Sequence, residues 1–282
     1  MRRICTILLF ACILAGMLFH VPLVIQGAHT GLELWYESVL PSILPFMIIT
    51  SLLLQQVQGS GICFLGLLCG LPVGANLVNQ QSLSERMNYG MANSLLCICN
   101  ITSPMFILGY ILNQTLQGQV SVLKFLCTIY FPIGIYALWS FFRHRRNKKE
   151  SPVTPLQEPN STLSLDDILK HSLQVILMVG LYIMLFCIII QFLLYYLPAD
   201  SILPKILASS LEITNGIHVI NQLSIPFQQK TALIAGLTSF GGICSILQTK
   251  SVLTSKGLSI FHYTCIKLCM GGISYLLALI WL

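Results

Sequence analysis

The chain has 282 residues, of which 55% are hydrophobic and only 9% charged, and its mean hydropathy is +0.81. A soluble domain carries nearer a quarter charged residues, so composition excludes an ordinary soluble fold and predicts an all-α polytopic membrane protein. The net charge of +6 is therefore read by position, as topology, and not as a nucleic-acid footprint. The 11 cysteines are scattered through apolar segments, as at Cys5, Cys12, Cys63, Cys97, Cys127, Cys187 and Cys265. They read as reduced, packed thiols rather than a disulfide framework. Cys97-Ile98-Cys99 lacks the second Cys/His pair that a metal site needs.

Met1-Arg2-Arg3 precede an apolar run over residues 4–25. It is longer than a signal-peptide core and no small-x-small cleavage site follows, which predicts an uncleaved transmembrane helix over 1–26 with a cytoplasmic N-terminus. The stretch from Gly27 to Glu37, with Glu33, Trp35 and Tyr36, reads as interfacial. A first repeat, 27–142, then holds apolar segments at 39–56, 62–80, 88–112 and 120–142. Residues 143–165 begin with Arg143-His144-Arg145-Arg146-Asn147-Lys148-Lys149 and continue as a Pro/Ser/Thr/Glu-rich linker, whose composition predicts a flexible loop. A second repeat, 166–282, carries segments at 173–197, 202–223, 231–248 and 260–282.

Both repeats are interrupted at membrane depth. The first breaks at Gly70-Leu71-Pro72-Val73-Gly74 and at Asn100-Ile101-Thr102-Ser103-Pro104. The second breaks at Glu212-Ile213-Thr214-Asn215-Gly216 and at Thr238-Ser239-Phe240-Gly241-Gly242. Lipid cannot satisfy exposed backbone, so irregular backbone there is buried in protein or lines a wet cavity. Interrupted segments at matching places in two halves point to a transporter's binding site.

Charge sets the orientation. If every segment crossed fully, cytoplasmic Arg2 and Arg3 would place Arg143 to Lys149 outside, against the positive-inside rule. Making 62–80 a re-entrant hairpin from the cytoplasm, and 202–223 its counterpart from outside, removes the conflict. Arg2, Arg3, Arg86, Arg143, Arg145, Arg146, Lys148, Lys149, Lys170, Lys250 and Lys256 are then cytoplasmic. Only Lys205 and Lys230 are external, and Lys124 and Lys267 lie within spans. Each repeat has three crossings and one hairpin, so the second is inverted, and the C-terminus is external.

Pro41-Ser42-Ile43-Leu44-Pro45-Phe46, Gly70-Leu71-Pro72-Val73-Gly74-Ala75, the run from Cys99 to Gly109, and Leu211-Glu212-Ile213-Thr214-Asn215-Gly216 resemble the sporulation integral membrane protein YlbJ family. Its members carry the nucleoside-recognition, or gate, domain. The resemblance covers roughly residues 35–282. This chain departs in having Ile101 after Asn100, where the family tends to show a second Asn, and in lacking a large loop some relatives carry. The resemblance implies a cell-membrane protein acting in sporulation and transport of a small polar or anionic metabolite, nucleoside-like or dipicolinate-like.

The residues themselves nominate a site. Gly70, Pro72 and Gly74 form a hairpin tip whose second half-helix offers free N–H groups; the bland reading is a packing kink. Asn100, Thr102 and Ser103 can ligate substrate or a coupling cation, or can simply cap the broken helix and bond its neighbours. Pro104 frees the Asn100 carbonyl. Thr214, Asn215, Gly216, Thr238 and Ser239 complete the substrate-binding set. Glu212 is the one acid expected at membrane depth, a candidate for proton or sodium coupling; the alternatives are an ion pair with Lys267 or an interfacial position. Gly271-Gly272 in the last span reads as close packing and His218 as a packing residue. No hydrolase, metalloprotease or phosphate-loop motif is present, so no enzyme, cofactor or nucleic-acid role is expected.

These readings converge on a carrier that alternates access around a small-molecule substrate held between paired broken helices, an oligomer being compatible with it. The alternative is a non-transporting component of a spore-assembly complex, its basic loop docking a partner or anionic lipid.

Overall fold

The computed structural model describes residues 2–56, 66–83, 89–146, 164–198, 201–255 and 257–282, and these are helical with no strand among them. Among the described residues, six helical stretches are long and apolar enough to cross a membrane: Val21–Leu53, Tyr89–Thr115, Val122–Arg145, Leu165–Tyr196, Phe227–Val252 and Ile260–Trp281. The protein is an all-helical integral membrane protein.

Helix α1 (Arg2–Phe19) ends before His20, and α2 (Val21–Leu34) begins with Pro22 in its first turn. The expected first span over 4–25 is thus divided in two. A π-helical turn, Trp35–Val39, joins α2 to α3 (Leu40–Gln56). The stretch Gly27 to Glu37, expected as a separate interfacial segment, is continuous helix. It lies inside the 33-residue span Val21–Leu53 and packs along α8, defined below. Gly27 and Gly31 carry the contact: a Cβ at either would stand 2.7 Å from the Cα of Ile188 or Met184, respectively. Small residues four apart let two helix backbones approach closely. Trp35 then lies over Gly180 and its Nε1–H donates to the Ile176 carbonyl at 3.0 Å. Glu33, Tyr36 and Glu37 are exposed, whereas Trp35 belongs to the packed face.

The remaining elements follow the predicted breaks. A turn over Gly70–Pro72 precedes α4 (Val73–Leu83), and α5 (Tyr89–Cys99) ends where Asn100–Ser103 interrupt it. A short α6 (Pro104–Phe106) continues as a π-helical stretch, Ile107–Thr115, before α7 (Val122–Arg146) and α8 (Leu165–Tyr196). Helices α9 (Ile202–Ser209) and α10 (Ile213–Gln222) flank the second tip. Gly241, with φ +87°, separates α11 (Phe227–Phe240) from α12 (Gly242–Val252), and α13 (Ile260–Trp281) closes the chain. The outer arm of the 62–80 hairpin at 62–65, Arg86, Lys256, and the linker 147–163 with Lys148 and Lys149 lie outside the described residues.

The main core gathers Ile107, Ile111, Phe125, Ile176, Ile217 and Ile234, so both halves bury their apolar faces against one another. Helices α11 and α13 run antiparallel: Gln228 Nε2 donates to the Leu279 carbonyl at 2.9 Å, and the Ser239 and Ser274 hydroxyls meet at 2.6 Å. Gly271 is packed against the Gly236 carbonyl and Phe240, whereas a Cβ at Gly272 would meet nothing within 4 Å.

Candidate functional site

Each half ties its tip to its own broken helix through backbone hydrogen bonds. In the first half, the Leu71 N–H donates to the Ile101 carbonyl at 2.9 Å. In the second, the Ile243 and Cys244 N–H groups donate to the Ser210 and Leu211 carbonyls at 3.1 and 2.7 Å. Breaking a helix leaves terminal donors and acceptors unmatched, and these bonds satisfy some of them without water. Side chains complete the repair. The Ser103 hydroxyl caps α6 by accepting from the Phe106 N–H at 3.3 Å. The Glu212 carboxylate caps α10, accepting from Thr214 N–H at 3.0 Å and Asn215 N–H at 2.7 Å.

One cavity of about 60 Å³ lies where the two tips and the two breaks meet. The tips contribute Leu71, Glu212, Ile213 and Thr214, and the breaks Thr102, Ser103 and Gly241. Cys244, Ser245 and Gln248 of α12 supply a further polar wall, and Val39, Ile43, Phe106, Val179 and Ile183 an apolar one. Of the predicted site residues, Thr102, Ser103, Glu212 and Thr214 are therefore brought together.

The others stand behind the lining. Asn100 is fully buried in a hydrogen-bonded junction. Its Oδ1 accepts from Ala75 N–H at 3.2 Å, and its Nδ2 donates to Thr249 Oγ1 at 2.7 Å and to Tyr263 Oη at 3.0 Å. The Asn100 carbonyl that Pro104 frees accepts the Tyr263 hydroxyl at 3.1 Å. The Thr102 hydroxyl donates to the Thr238 carbonyl at 2.7 Å, linking the two breaks directly. Gly70, with φ +69°, and Pro72 shape the first turn. Gly74 lies tight against the Cys99 carbonyl and Gly216 against that of Ser209, so both are close-approach points. Asn215 adds its backbone N–H to the Glu212 cap, and Ser239 bonds Ser274 away from the cavity.

The proposed pairing of Glu212 with Lys267 is absent. Glu212 is 1% exposed and held by α10, while the Lys267 Nζ, on a fully buried side chain, has no hydrogen-bond partner among the described residues. Glu212 is instead part of the cavity lining.

Sequence reasoning missed Ser245 and Gln248. Gly241, Cys244, Ser245 and Gln248 recur at spacings of three and four, the signature of one helix face. Reading onward from the Gly241-Gly242 break with that period would have found them.

No protein-family model and no solved structure matches the chain. Among curated proteins, it is 23% identical over 323 residues to the sporulation integral membrane protein YlbJ of Bacillus subtilis (strain 168), the match covering 93% of this chain and 78% of that one. The chain is thus similar to that sporulation membrane protein over nearly its whole length. All four segments that carry the YlbJ resemblance reach the cavity: Ile43 from the first, Leu71 from the second, Thr102, Ser103 and Phe106 from the third, and Glu212, Ile213 and Thr214 from the fourth. The YlbJ-like motifs, dispersed along the sequence, are thus contiguous in space.

Proposed function

We propose that this protein is a membrane carrier for a small polar or anionic metabolite, nucleoside-like or dipicolinate-like, acting in sporulation. It comprises two inverted repeats, with the N-terminus and the basic loop cytoplasmic and the C-terminus external. The observation that carries the reading is the shared cavity. A packing kink in an ordinary span has no reason to meet its counterpart from the other half around an internal space with hydroxyl, amide and carboxylate groups on its wall. Carrier sites are built this way, from discontinuous helices near the bilayer midplane.

The cavity size adds a mechanistic step. About 60 Å³ holds roughly four waters or a lone ion. A nucleoside-sized solute enters only after the halves part. The tip-to-break bonds lie within each half, so each can move as a unit. The contacts that must yield are those between halves, such as Thr102 with Thr238 and Asn100 with Thr249. Ser103, Thr214 and Gln248 would contact the solute, and Glu212 would couple its movement to a proton or sodium ion.

The test is uptake of a panel of labelled metabolites by proteoliposomes holding the purified chain. A carrier accumulates one solute class, and Ser103→Ala lowers its flux without lowering protein abundance. No uptake of any solute, together with sporulation that tolerates Ser103→Ala but fails on truncation of residues 143–165, would assign the chain to a spore-assembly complex instead.

A further inference from the structure

Two half-helices lead away from the cavity toward one membrane surface, one from each half of the chain. Helix α4 begins just after Leu71 of the cavity wall, and α12 begins after Gly241 and carries Cys244, Ser245 and Gln248 on that wall. The two helices pack against each other. Ala75 and Val78 of α4 share an apolar cluster with Ile246 and Val252 of α12. Beyond that layer the helices end, about 9 Å of rise separating Val73 from Asn79 and about 6 Å separating Gln248 from Val252.

The outer ends are fastened across the two halves. The buried Asn79 side chain uses both ends of its amide. Its Oδ1 accepts from the Thr254 and Ser255 N–H groups at 3.0 Å each, and its Nδ2 donates to Thr254 Oγ1 at 3.0 Å. About one turn further along α4, the Ser82 hydroxyl meets that of Ser255 at 2.9 Å. Thr254 and Ser255 lie past the end of α12, so their N–H groups take an asparagine of the other half in place of a helical carbonyl. Asn93 of α5 repeats the pattern at the start of α13. Its Nδ2 donates to the Gly257 carbonyl at 2.8 Å, and its Oδ1 accepts from Ser259 N–H at 2.7 Å. The surface reached is the basic one. Tyr136 Oη lies 3.1 Å from His262 Nε2, which sets the end of α7 that carries Arg143 and Arg145 beside the start of α13, and Lys250 is in the last turn of α12. That surface is cytoplasmic in the proposed topology.

We infer that the outer ends of α4 and α12 are the cytoplasmic gate of the cavity, closed in this structure and latched by Asn79, Ser82 and Asn93. The inference rests on the carrier reading, in which the two halves part to admit a solute. The apolar layer of Ala75, Val78, Ile246 and Val252 separates the cavity from the cytoplasm, and the polar latch holds that layer shut. The latch suits a closure that reverses. Thr254 and Ser259 are exposed and Asn93 is half-buried, so water takes over their hydrogen bonds as the halves part. A bond exchanged for one with water changes the free energy little, whereas a group left dry and unpaired costs far more. The fully buried Asn100 junction, one step nearer the cavity, opens only behind this rim.

The test reads Cys244, a buried thiol on the cavity wall. An impermeant methanethiosulfonate is added to inside-out vesicles holding the full chain, and modification of Cys244 is followed by mass spectrometry of its peptide. The native chain should react slowly. Asn79→Ala combined with Asn93→Ala should react roughly tenfold faster or more, because several interhelical bonds are lost together, and should react no faster in right-side-out vesicles. Lys124→Met removes a bond between the halves at the opposite end, to the Trp281 carbonyl, and should leave the inside-out rate unchanged. A disulfide between Asn79→Cys and Thr254→Cys should slow Cys244 below the native rate, and its reduction should restore that rate. This arm needs a folded chain and so separates unlatching from misfolding. An unchanged rate in the double alanine variant, an equal rise from both faces, or indifference to the crosslink overturns the gate. Solute uptake is scored separately. Faster cytoplasmic labelling without uptake of any solute overturns the carrier reading and leaves the latch standing, whereas uptake with unaltered labelling overturns the gate alone.

Discussion

Replacing Asn100 by alanine separates two roles that its position leaves open. The side chain makes three hydrogen bonds, to Ala75 N–H, Thr249 and Tyr263, and so joins the first tip, the first break, α12 and α13. Side-chain hydrogen bonds within membrane proteins average about 0.6 kcal/mol each, so three contribute about 2 kcal/mol. Truncation also orphans the Ala75 N–H, which adds about 1–3 kcal/mol. Asn100→Ala should therefore destabilise the fold by about 3–5 kcal/mol on these figures. Ser103→Ala loses only an N-cap bond, about 1 kcal/mol. Unfolding free energies measured in bicelles by steric trapping resolve that difference. A loss below about 1 kcal/mol for Asn100→Ala would refute the junction argument, and if flux were abolished at the same time, Asn100 would be a substrate ligand.

Gly74→Ala and Gly216→Ala should sharply reduce folded protein, because the new Cβ would stand 2.6 Å from the Cys99 carbonyl carbon and 2.9 Å from that of Ser209. Gly272→Ala faces open space and should be silent; equal effects at all three, read as yield of monodisperse protein, would undo the close-approach reading. Impermeant thiol labelling should find positions 143–163 reactive only from the cytoplasm and a cysteine at position 282 only from outside. An external 143–163 would remove the basis for inverted repeats. Glu212→Gln and Lys267→Met should have additive effects on stability, since the two groups share no hydrogen bond; mutual rescue in the double variant would show that they pair in a state other than this one.

The sequence announced the breaks because glycine, proline and small polar residues stand out in an apolar background. Gly70-Leu71-Pro72 and Gly241-Gly242 are turns for that reason. What it could not announce is which side chains of a break point inward. Asn100, Thr102 and Ser103 fall within four residues, yet the backbone leaves the helix after Cys99 and re-enters at Pro104, so their side chains take different directions. Asn100 turns to Thr249 and Tyr263, Thr102 reaches across to Thr238, and Ser103 lies on the cavity wall. The packing of the 27–37 stretch was hidden for a related cause. Its polarity was legible, but whether a polar helix face meets an interface or a partner depends on where the glycine face docks, and α8 is over a hundred residues away in the chain.

The two buried ionisable groups are held differently. Glu212 sits at the start of α10, where unmatched N–H groups and the positive end of the helix dipole favour an anion. Two of those N–H groups bind it directly, which offsets much of the cost of removing a carboxylate from water. Helices α4 and α12 also begin beside the cavity, after Pro72 and Gly241, so their positive ends add to the same field. The cavity therefore contains its own counter-charge. A solute carrying a negative group competes with the Glu212 carboxylate for that field, while a cation entering beside Glu212 would relieve the competition. In the proposed carrier, coupling of anion and cation movement would follow from this arrangement without any further charged residue on the cavity wall. Lys267 has neither a cap nor a carboxylate, and it stands apart from the cavity lining. Its substitution by methionine should leave coupling intact, so that the gradient dependence of flux rests on Glu212 alone.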